Sequence, residues 1–102
     1  MAGEQIGEVL IDGATRPITV DRESGRFEIQ VGDQAAFTQF RLSGPVLSLI
    51  HTEVPKAAEG KGLAAALARA ALDYARAHSL RVKVICPFIA KYIARHPEYQ
   101  DL

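Results

Sequence analysis

LSLIHTEVPKAAEGKGLAAALARAALDY, residues 47–74, is the stretch that decides the fold. Its first part belongs to an apolar run from Val46 to Val54, which predicts a strand that Pro55 ends. After a short polar link, Glu59-Gly60-Lys61-Gly62-Leu63-Ala64 opens an alanine-rich helix. A helix N-terminus attracts anions because its first N–H groups are unpaired and its dipole is positive there, and glycine lets an anion approach the backbone. The junction therefore predicts a place for a phosphate group.

Composition limits the classes of protein that this chain can belong to. With 102 residues and 48% apolar content, we expect residues 1–102 to form one compact domain. Twelve basic and twelve acidic residues give no net charge, which argues against a nucleic-acid partner held by bulk charge. Cys86 is the single cysteine, so we predict no intramolecular disulfide and no metal site. No leader and no apolar run of roughly 18 residues is present, so we expect a cytoplasmic protein without a membrane partner.

The chain before residue 47 has the pattern of an antiparallel meander. Asp12-Gly13 joins two short apolar runs, Ile6–Ile11 and Pro17–Val20, and predicts a hairpin in residues 1–25 at the sheet edge. Arg26–Val31 alternates with a period of two, and Gln34–Leu42 follows after a glycine turn. We therefore expect four strands here, and we assign no chemistry to the hairpin.

Two features of the next strands indicate how they are covered. Phe37 and Phe40 fall on opposite faces of the same strand, which predicts a bulge or cover on both sides. The first half of Val46–Val54 is apolar on both faces, as in a central strand with a layer on either side.

The end of this central strand is polar, since His51, Thr52 and Glu53 cluster there. Ligands of open sheets bind outside the carboxyl ends of strands, so the cluster is a candidate site. The alternative is that these three side chains only meet solvent at the strand end.

The second half of the chain predicts a crossover and a second helix. The first helix runs from Lys61 to about Ser79, and a strand from Arg81 to Cys86 follows. Strand, helix and strand in this order imply a right-handed parallel crossover beside the Val46–Val54 strand. Pro87 suits the first position of a helix that covers Phe88–Arg95. The core stripe of the first helix consists of Leu63, Leu67, Ala70, Ala71 and Tyr74.

Glu59-Gly60-Lys61-Gly62-Leu63-Ala64 resembles the acyl-CoA pyrophosphate loop of the GNAT acetyltransferase superfamily, Gln/Arg-x-x-Gly-x-Gly/Ala. Gly62 and Ala64 match this pattern. Glu59 departs from it, and we expect its side chain to point away or to pair with Lys56 or Lys61. The segments His51-Thr52-Glu53-Val54-Pro55, Ile85-Cys86-Pro87-Phe88, Tyr92 and Arg95-His96-Pro97-Glu98-Tyr99 look like those of small single-domain GNAT-like acetyltransferases. The resemblance covers residues 26–102, about three quarters of the chain.

This resemblance implies a minimal GNAT fold of the α/β (α+β) class. Such a fold has a mixed, mostly antiparallel twisted sheet of about five to six strands, with a parallel splayed central pair and two helices. It also implies acetyl-CoA as cofactor and an unknown amine or protein as acceptor. Pantetheine would lie in the gap of the splayed pair, and the pyrophosphate would lie at the loop. The implied cofactor-binding residues are Thr52, Val54, Gly60, Lys61, Gly62, Leu63 and Ala64.

The candidate catalytic residues are Cys86, His51, Glu53 and Tyr92. Cys86 lies at a predicted helix N-terminus, an environment that favours the thiolate, although a lone cysteine is often a small buried apolar residue. The family resemblance implies a cysteine near the acetyl thioester. His51 could take a proton from the acceptor or from Cys86, with Glu53 orienting it, because side chains two apart share a strand face. The same resemblance implies that Tyr92 would protonate the departing CoA thiolate; the alternative is that it only packs as a helix aromatic.

The sequence leaves several functional alternatives open. Acetyl transfer could be direct or could pass through an acetylated Cys86. A non-enzymatic acyl-CoA-binding or protein-interaction module on the same fold is the main alternative to an enzyme. An RNA-binding α/β domain is disfavoured by the zero net charge. We expect a monomer or a weak homodimer.

Overall fold

The structure, a computed structural model, describes residues 3–102 and contains one six-stranded sheet with two helices. Its strands lie side by side in chain order, and every neighbouring pair is antiparallel except the last. The elements are β1 (Glu4–Ile11), β2 (Ala14–Asp21), β3 (Arg26–Val31), β4 (Gln34–Ser43), β5 (Val46–Glu53), α1 (Leu63–Ala77), β6 (Arg81–Val84) and α2 (Pro87–Arg95). The predicted mixed, mostly antiparallel sheet with a parallel pair and two helices is confirmed. The predicted central position of the parallel pair is wrong, because β6 is the last strand of the sheet and the pair lies at its edge.

The β1–β2 hairpin forms one edge of the sheet, as predicted. Its turn residues have positive φ angles, 50° at Asp12 and 79° at Gly13, which is the backbone shape of the tight hairpin turn that matches strand twist. Pro17 lies on β2, the second strand, rather than on the edge strand itself. It is tolerated because β2 pairs with β3 only from Ile18 onward.

One face of the sheet carries the core, because alternate residues of each strand point to it. Phe27 and Ile29 of β3 are completely buried there, and α1 packs across them through its predicted apolar stripe. The second helix, α2, lies beside α1 at the β6 edge. The buried residues of α1 are Leu63, Leu67, Ala68, Ala71, Leu72, Tyr74 and Ala75.

The other face of the sheet is open. On β4 and β5 its exposed side chains are Gln39, Arg41, His51 and Glu53. Within residues 3–102 no helix packs on this face, so the expected layer on both sides of β5 is wrong. The apolar residues of the first half of β5 are instead divided between the core face and a half-buried outer face. None of the described helices is long and apolar enough to cross a membrane.

A C-terminal latch holds α1 and the end of the chain together. The Tyr99 hydroxyl donates to Asp73 Oδ1 of α1 at 2.6 Å, and the Tyr99 side chain is only 7% exposed. The Arg76 guanidinium donates to both carboxylate oxygens of Asp101, at 3.1 and 2.9 Å. Because α2 connects directly to this segment, the latch also fixes α2 against α1.

The latch generates a stability prediction. Burial, followed by the hydrogen bond to Asp73, raises the pKa of Tyr99 to about 12. The phenol of the unfolded chain titrates near its ordinary pKa of about 10, so stability from this group is present below about pH 10 and is lost as the pH rises through about 12. We expect Tyr99→Phe to lower the free energy of unfolding at pH 7 by about 1–2 kcal/mol, and to flatten its decline between about pH 10 and 12. Urea denaturation followed by circular dichroism measures both effects.

Tyr92→Phe is the matched control, since the Tyr92 hydroxyl has no hydrogen-bond partner among residues 3–102. Tyr92→Phe should lower the free energy of unfolding by less than about 0.5 kcal/mol. An equal decrease in the free energy of unfolding in Tyr99→Phe and Tyr92→Phe would contradict the stabilising role of the Tyr99–Asp73 hydrogen bond.

Candidate functional site

The two parallel strands part halfway along β5. Their pairing runs from Val46↔Arg81 to Leu49↔Val84 and then ends, although β5 continues to Glu53. At this point the carbonyl oxygen of Leu49 accepts hydrogen bonds from the N–H groups of both Ile85 and Cys86, at 2.9 and 3.0 Å. The chain after β6 therefore turns away from β5, and the predicted splayed pair is confirmed. β6 ends at Val84, two residues before the predicted end at Cys86.

A β-bulge at the same level changes which side chains of β5 face the core. Gln39 of β4 pairs with His51 and Phe40 pairs with Leu49, so Ile50 is an extra residue on β5. The bulge moves His51 and Glu53 to the open face and turns Thr52 to the core face. Sequence alternation indicated a bulge on β4, and the structure has it on the facing strand.

The bulge also leaves backbone groups available in the gap between the strands. The N–H and C=O groups of Leu49 point toward β6, and Thr52 has the same orientation because it shares the core face with Leu49. Val54 follows just past the end of β5 and lines the cavity described below. Since β6 has turned away at this level, the backbone of β5 beyond the bulge has no β6 partner.

The loop before α1 has the backbone geometry that the sequence suggests. Gly60 and Gly62 have φ angles of 82° and 79°, and Gly62 is the N-cap of α1. A Cβ atom at either glycine would meet no protein atom within 4 Å, so the backbone is bare on that side. No side-chain hydrogen bond caps α1 and its first turn holds no acidic residue. The unpaired N–H groups at this end are therefore free to bind an anion.

A cavity of about 250 Å³ lies between this loop, the end of β5 and the start of α2. Five of the seven predicted cofactor-binding residues line this cavity, and Thr52 and Lys61 do not. The lining residues are Val54, Ala58, Glu59, Gly60, Gly62, Leu63, Ala64, Ala65 and Phe88. A larger cavity, about 440 Å³, lies between β1 and α1 and contains none of the predicted site residues.

Lys61 makes an ion pair that sequence reasoning missed. Its Nζ lies 3.0 Å from Asp12 Oδ1 in the hairpin turn. Within residues 3–102 no ion pair joins Glu59 to Lys56 or Lys61, so the second of the two expected arrangements of Glu59 is not formed. Its exposed side chain borders the cavity. No local pattern could have revealed Asp12, because 49 residues separate it from Lys61.

Cys86 lies on the core side of the gap. It is the N-cap of α2, Pro87 follows at the first helical position, and its side chain is 3% exposed. The Sγ donates to Thr52 Oγ1 at 3.5 Å, and Thr52 Oγ1 lies 2.9 Å from Oγ1 of the completely buried Thr38. Thr38 could have been found from the sequence, because it places a hydroxyl between the apolar residues Ala36 and Phe40 on the core face of β4.

His51 and Glu53 lie together on the open face of the sheet. His51 Nε2 is 3.3 Å from Glu53 Oε1, and both side chains are more than half exposed. The His51 ring meets the edge of Phe37, and the Arg26 guanidinium lies 3.7 Å from the Phe37 ring centre. The structure thus brings together His51 with Glu53, and Cys86 with Thr52. The two pairs lie on opposite faces of β5.

Tyr92 packs between the helices and the chain end. Its ring stacks on His96 with centroids 3.9 Å apart, and Tyr99 is its other aromatic neighbour, at 6.2 Å. Burial raises the pKa of Tyr92, helped by the charges of Glu98 and Asp73 and opposed by Arg69. The phenol therefore stays protonated, and it does not line the cavity. Its role as a proton donor stays a prediction.

Fold and site together define an α/β protein with a cleft between two parting parallel strands, closed at one end by a glycine loop and a helix N-terminus. A family model described as GCN5-related N-acetyl-transferase matches residues 26–102, the same span as the resemblance in the sequence. The chain belongs to this family.

Named relatives extend the match into the hairpin. Protein NATD1 of Gallus gallus is 32% identical over 97 residues, which cover 92% of this chain and 88% of the relative. The proteins of the same name from Mus musculus and Homo sapiens are both 35% identical over 91 residues. These matches cover 84% of this chain, and 83% and 80% of the two relatives.

The burial of Cys86 predicts its reactivity in the folded protein. Because the thiol is 3% exposed and already donates to Thr52, we expect a disulfide reagent such as 5,5′-dithiobis(2-nitrobenzoate) to react at least about ten-fold more slowly with the native chain than with the urea-unfolded chain. Absorbance of the released thiolate measures one thiol, since the chain has one cysteine. Equal rates in the native and unfolded chains would contradict the placement of Cys86.

Proposed function

We propose that the protein is an acyltransferase that uses acetyl-CoA to acetylate an amine. The observation that carries this proposal is the parting of β5 and β6 in front of the cavity and the bare loop that opens α1. Membership of the N-acetyltransferase family supports it. Acetyl-CoA, when bound, supplies an activated acetyl thioester.

The residues of the cleft fit such a cofactor. The N–H groups from Gly60 through Ala64 would hold the pyrophosphate, because the glycines present no side chain and the α1 dipole is positive there. The free backbone groups of Thr52 and Val54 would hold the pantetheine amides as an added strand does. Lys61 would add a positive charge at the loop, where Asp12 holds its ammonium group.

Two routes for the acetyl group follow from the two faces of β5. In direct transfer, the acceptor amine approaches the open face and gives its proton to His51. The His51 Nε2–H donates to Glu53, so Nδ1 is the nitrogen that accepts the proton. In the second route, Cys86 would lose its proton to solvent and its thiolate would take the acetyl group from the core side as the CoA thiolate leaves. An amine would then receive the acetyl group and release the Cys86 sulfur. Tyr92 is the proposed proton donor to the leaving thiolate in both routes.

A non-enzymatic acyl-CoA-binding module is the alternative. The observation that favours it is the separation of His51 from Cys86 by the thickness of the sheet, together with the packing of Tyr92 away from the cavity. Both functions require acetyl-CoA binding, and only the enzyme requires turnover.

The first test concerns binding. We expect acetyl-CoA to raise the melting temperature, since a ligand at 100 times its Kd stabilises the folded state by about 2.7 kcal/mol. Gly62→Ala should weaken binding by about ten-fold or more, because its Cβ enters the space of the anion at a φ of 79°. Titration calorimetry with acetyl-CoA measures the affinity.

Gly44→Ala is the matched control for backbone strain. Gly44 also has a positive φ, 57°, with open space around its Cβ, but it lies in the β4–β5 turn at the far end of β5. Gly44→Ala should lower the free energy of unfolding by a similar amount and keep the wild-type affinity for acetyl-CoA. An unchanged melting temperature at millimolar acetyl-CoA, or equal loss of affinity in both variants, would refute the assignment of the cleft.

The second test concerns chemistry. After incubation with acetyl-CoA, intact-mass spectrometry should show an added acetyl group in the wild type and none in Cys86→Ala if the route uses Cys86. If the adduct is absent but amines release CoA thiol, and His51→Gln abolishes this release while still binding acetyl-CoA, transfer is direct. Binding without CoA release by any amine tested would identify the module instead of the enzyme.

A further inference from the structure

Thr38 is a buried hydroxyl in an otherwise apolar core. It is 0% exposed on β4, between the core residues Ala36 and Phe40. A buried hydroxyl without a hydrogen bond destabilises the fold, whereas valine would fill almost the same volume with no polar atom. The partner of Thr38 is the Thr52 hydroxyl at 2.9 Å, and Thr52 in turn accepts from Cys86 Sγ at 3.5 Å.

The β5 bulge creates this row of three polar atoms. Thr38 and Thr52 lie directly opposite each other in the β4–β5 ladder. If the ladder continued from Leu49 without a bulge, Ile50 would pair with Gln39, and His51 would pair with Thr38 and face the core in place of Thr52. The backbone of Thr52 points toward β6, so Thr38 and Thr52 form a pair without mutual backbone hydrogen bonds, the kind in which side chains approach most closely. Cys86 then reaches Thr52 from the other side of the gap.

The direction of the two hydrogen bonds depends on the state of the thiol. A protonated Cys86 donates to Thr52, which then donates to Thr38. A thiolate has no hydrogen to donate and needs a donor. When the Thr52 hydroxyl turns toward the sulfur, the Thr38–Thr52 hydrogen bond is kept only if Thr38 becomes the donor, and either oxygen can be the donor of that bond. Both hydroxyls can therefore reverse by rotation alone, without movement of any heavy atom.

Within residues 3–102 no charged side chain makes a hydrogen bond to the Cys86 sulfur. Lys83 of β6 and Lys91 of α2 are exposed, whereas Cys86 is buried. On β5, His51 and Glu53 lie on the open face, and Glu59 before α1 borders the cavity. Tyr92 is stacked on His96. The β4 residues on the core side of the gap carry no charge.

We propose that Thr38 and Thr52 are positioning residues for Cys86, which hold the thiol in the neutral state and solvate the thiolate by reversing their hydrogen bonds. This inference rests on the proposed function in one respect, namely that the thiolate acts as the nucleophile. The hydrogen-bond reversal itself does not depend on acetyl-CoA.

The test measures Cys86 without acetyl-CoA. In Thr52→Val, we expect the S–H stretching band in the infrared spectrum to move to higher frequency, because the thiol loses its acceptor. The rate of alkylation by iodoacetamide at fixed pH should fall about ten-fold, the effect of one lost hydrogen bond to a charged group. In Thr38→Val, the S–H band should stay while alkylation slows about three-fold, because Thr38 acts on the sulfur only through Thr52.

Serine variants separate the hydroxyl from its methyl group. Thr52→Ser and Thr38→Ser should restore the wild-type band and rate, and Thr15→Val, at an exposed position on β2, should change neither. Wild-type rates in both valine variants, or serine variants that behave like valine variants, would overturn the proposal. If alkylation follows the prediction but acetyl-CoA does not bind, the hydroxyl pair stands and the proposed function fails.

Discussion

The carbonyl oxygen of Leu49 accepts from two successive N–H groups, and the site depends on this arrangement. A regular parallel ladder spaces its hydrogen bonds two residues apart on the partner strand. Once Ile85 and Cys86 both bond to Leu49, the chain after β6 cannot continue alongside β5. The extra residue Ile50 sits on β5 at the same level and bends that strand. The gap is therefore a consequence of backbone pairing rather than of side chains pushing the strands apart.

The same irregularity gives the two faces of β5 different chemistry. Thr52 faces inward to meet the uncharged hydroxyl of Thr38 and the thiol of Cys86. His51 and Glu53 face outward into solvent. A regular strand would have reversed these positions and placed an imidazole in the core. In the proposed function, a site divided in this way would let an amine and a thioester arrive from opposite sides of one strand.

Elements far from the gap hold its walls in position. The hairpin turn reaches the loop through Asp12 and Lys61, and the chain end ties α2 to α1 through Tyr99 and Arg76. The Asp12–Lys61 pair is exposed and contributes little to the free energy of folding, so its significance is the placement of a cation beside the loop. The Tyr99 bond is sheltered, and it keeps α2, whose N-cap is Cys86, against α1.

The sequence alone determined the elements, their order, the hairpin turn at Asp12-Gly13, the glycine loop before α1 and the family. These follow from signals within a few residues, namely periodicity, turn residues and a short motif, because local backbone preferences produce them. Only the tertiary structure decided that His51 and Cys86 lie on opposite faces, that Lys61 pairs with Asp12 and that Tyr92 stacks on His96. The physical reason is that a bulge exists only relative to the strand it pairs with, and one extra residue exchanges the faces of everything after it. Contacts between residues 49 positions apart likewise depend on how the whole chain closes.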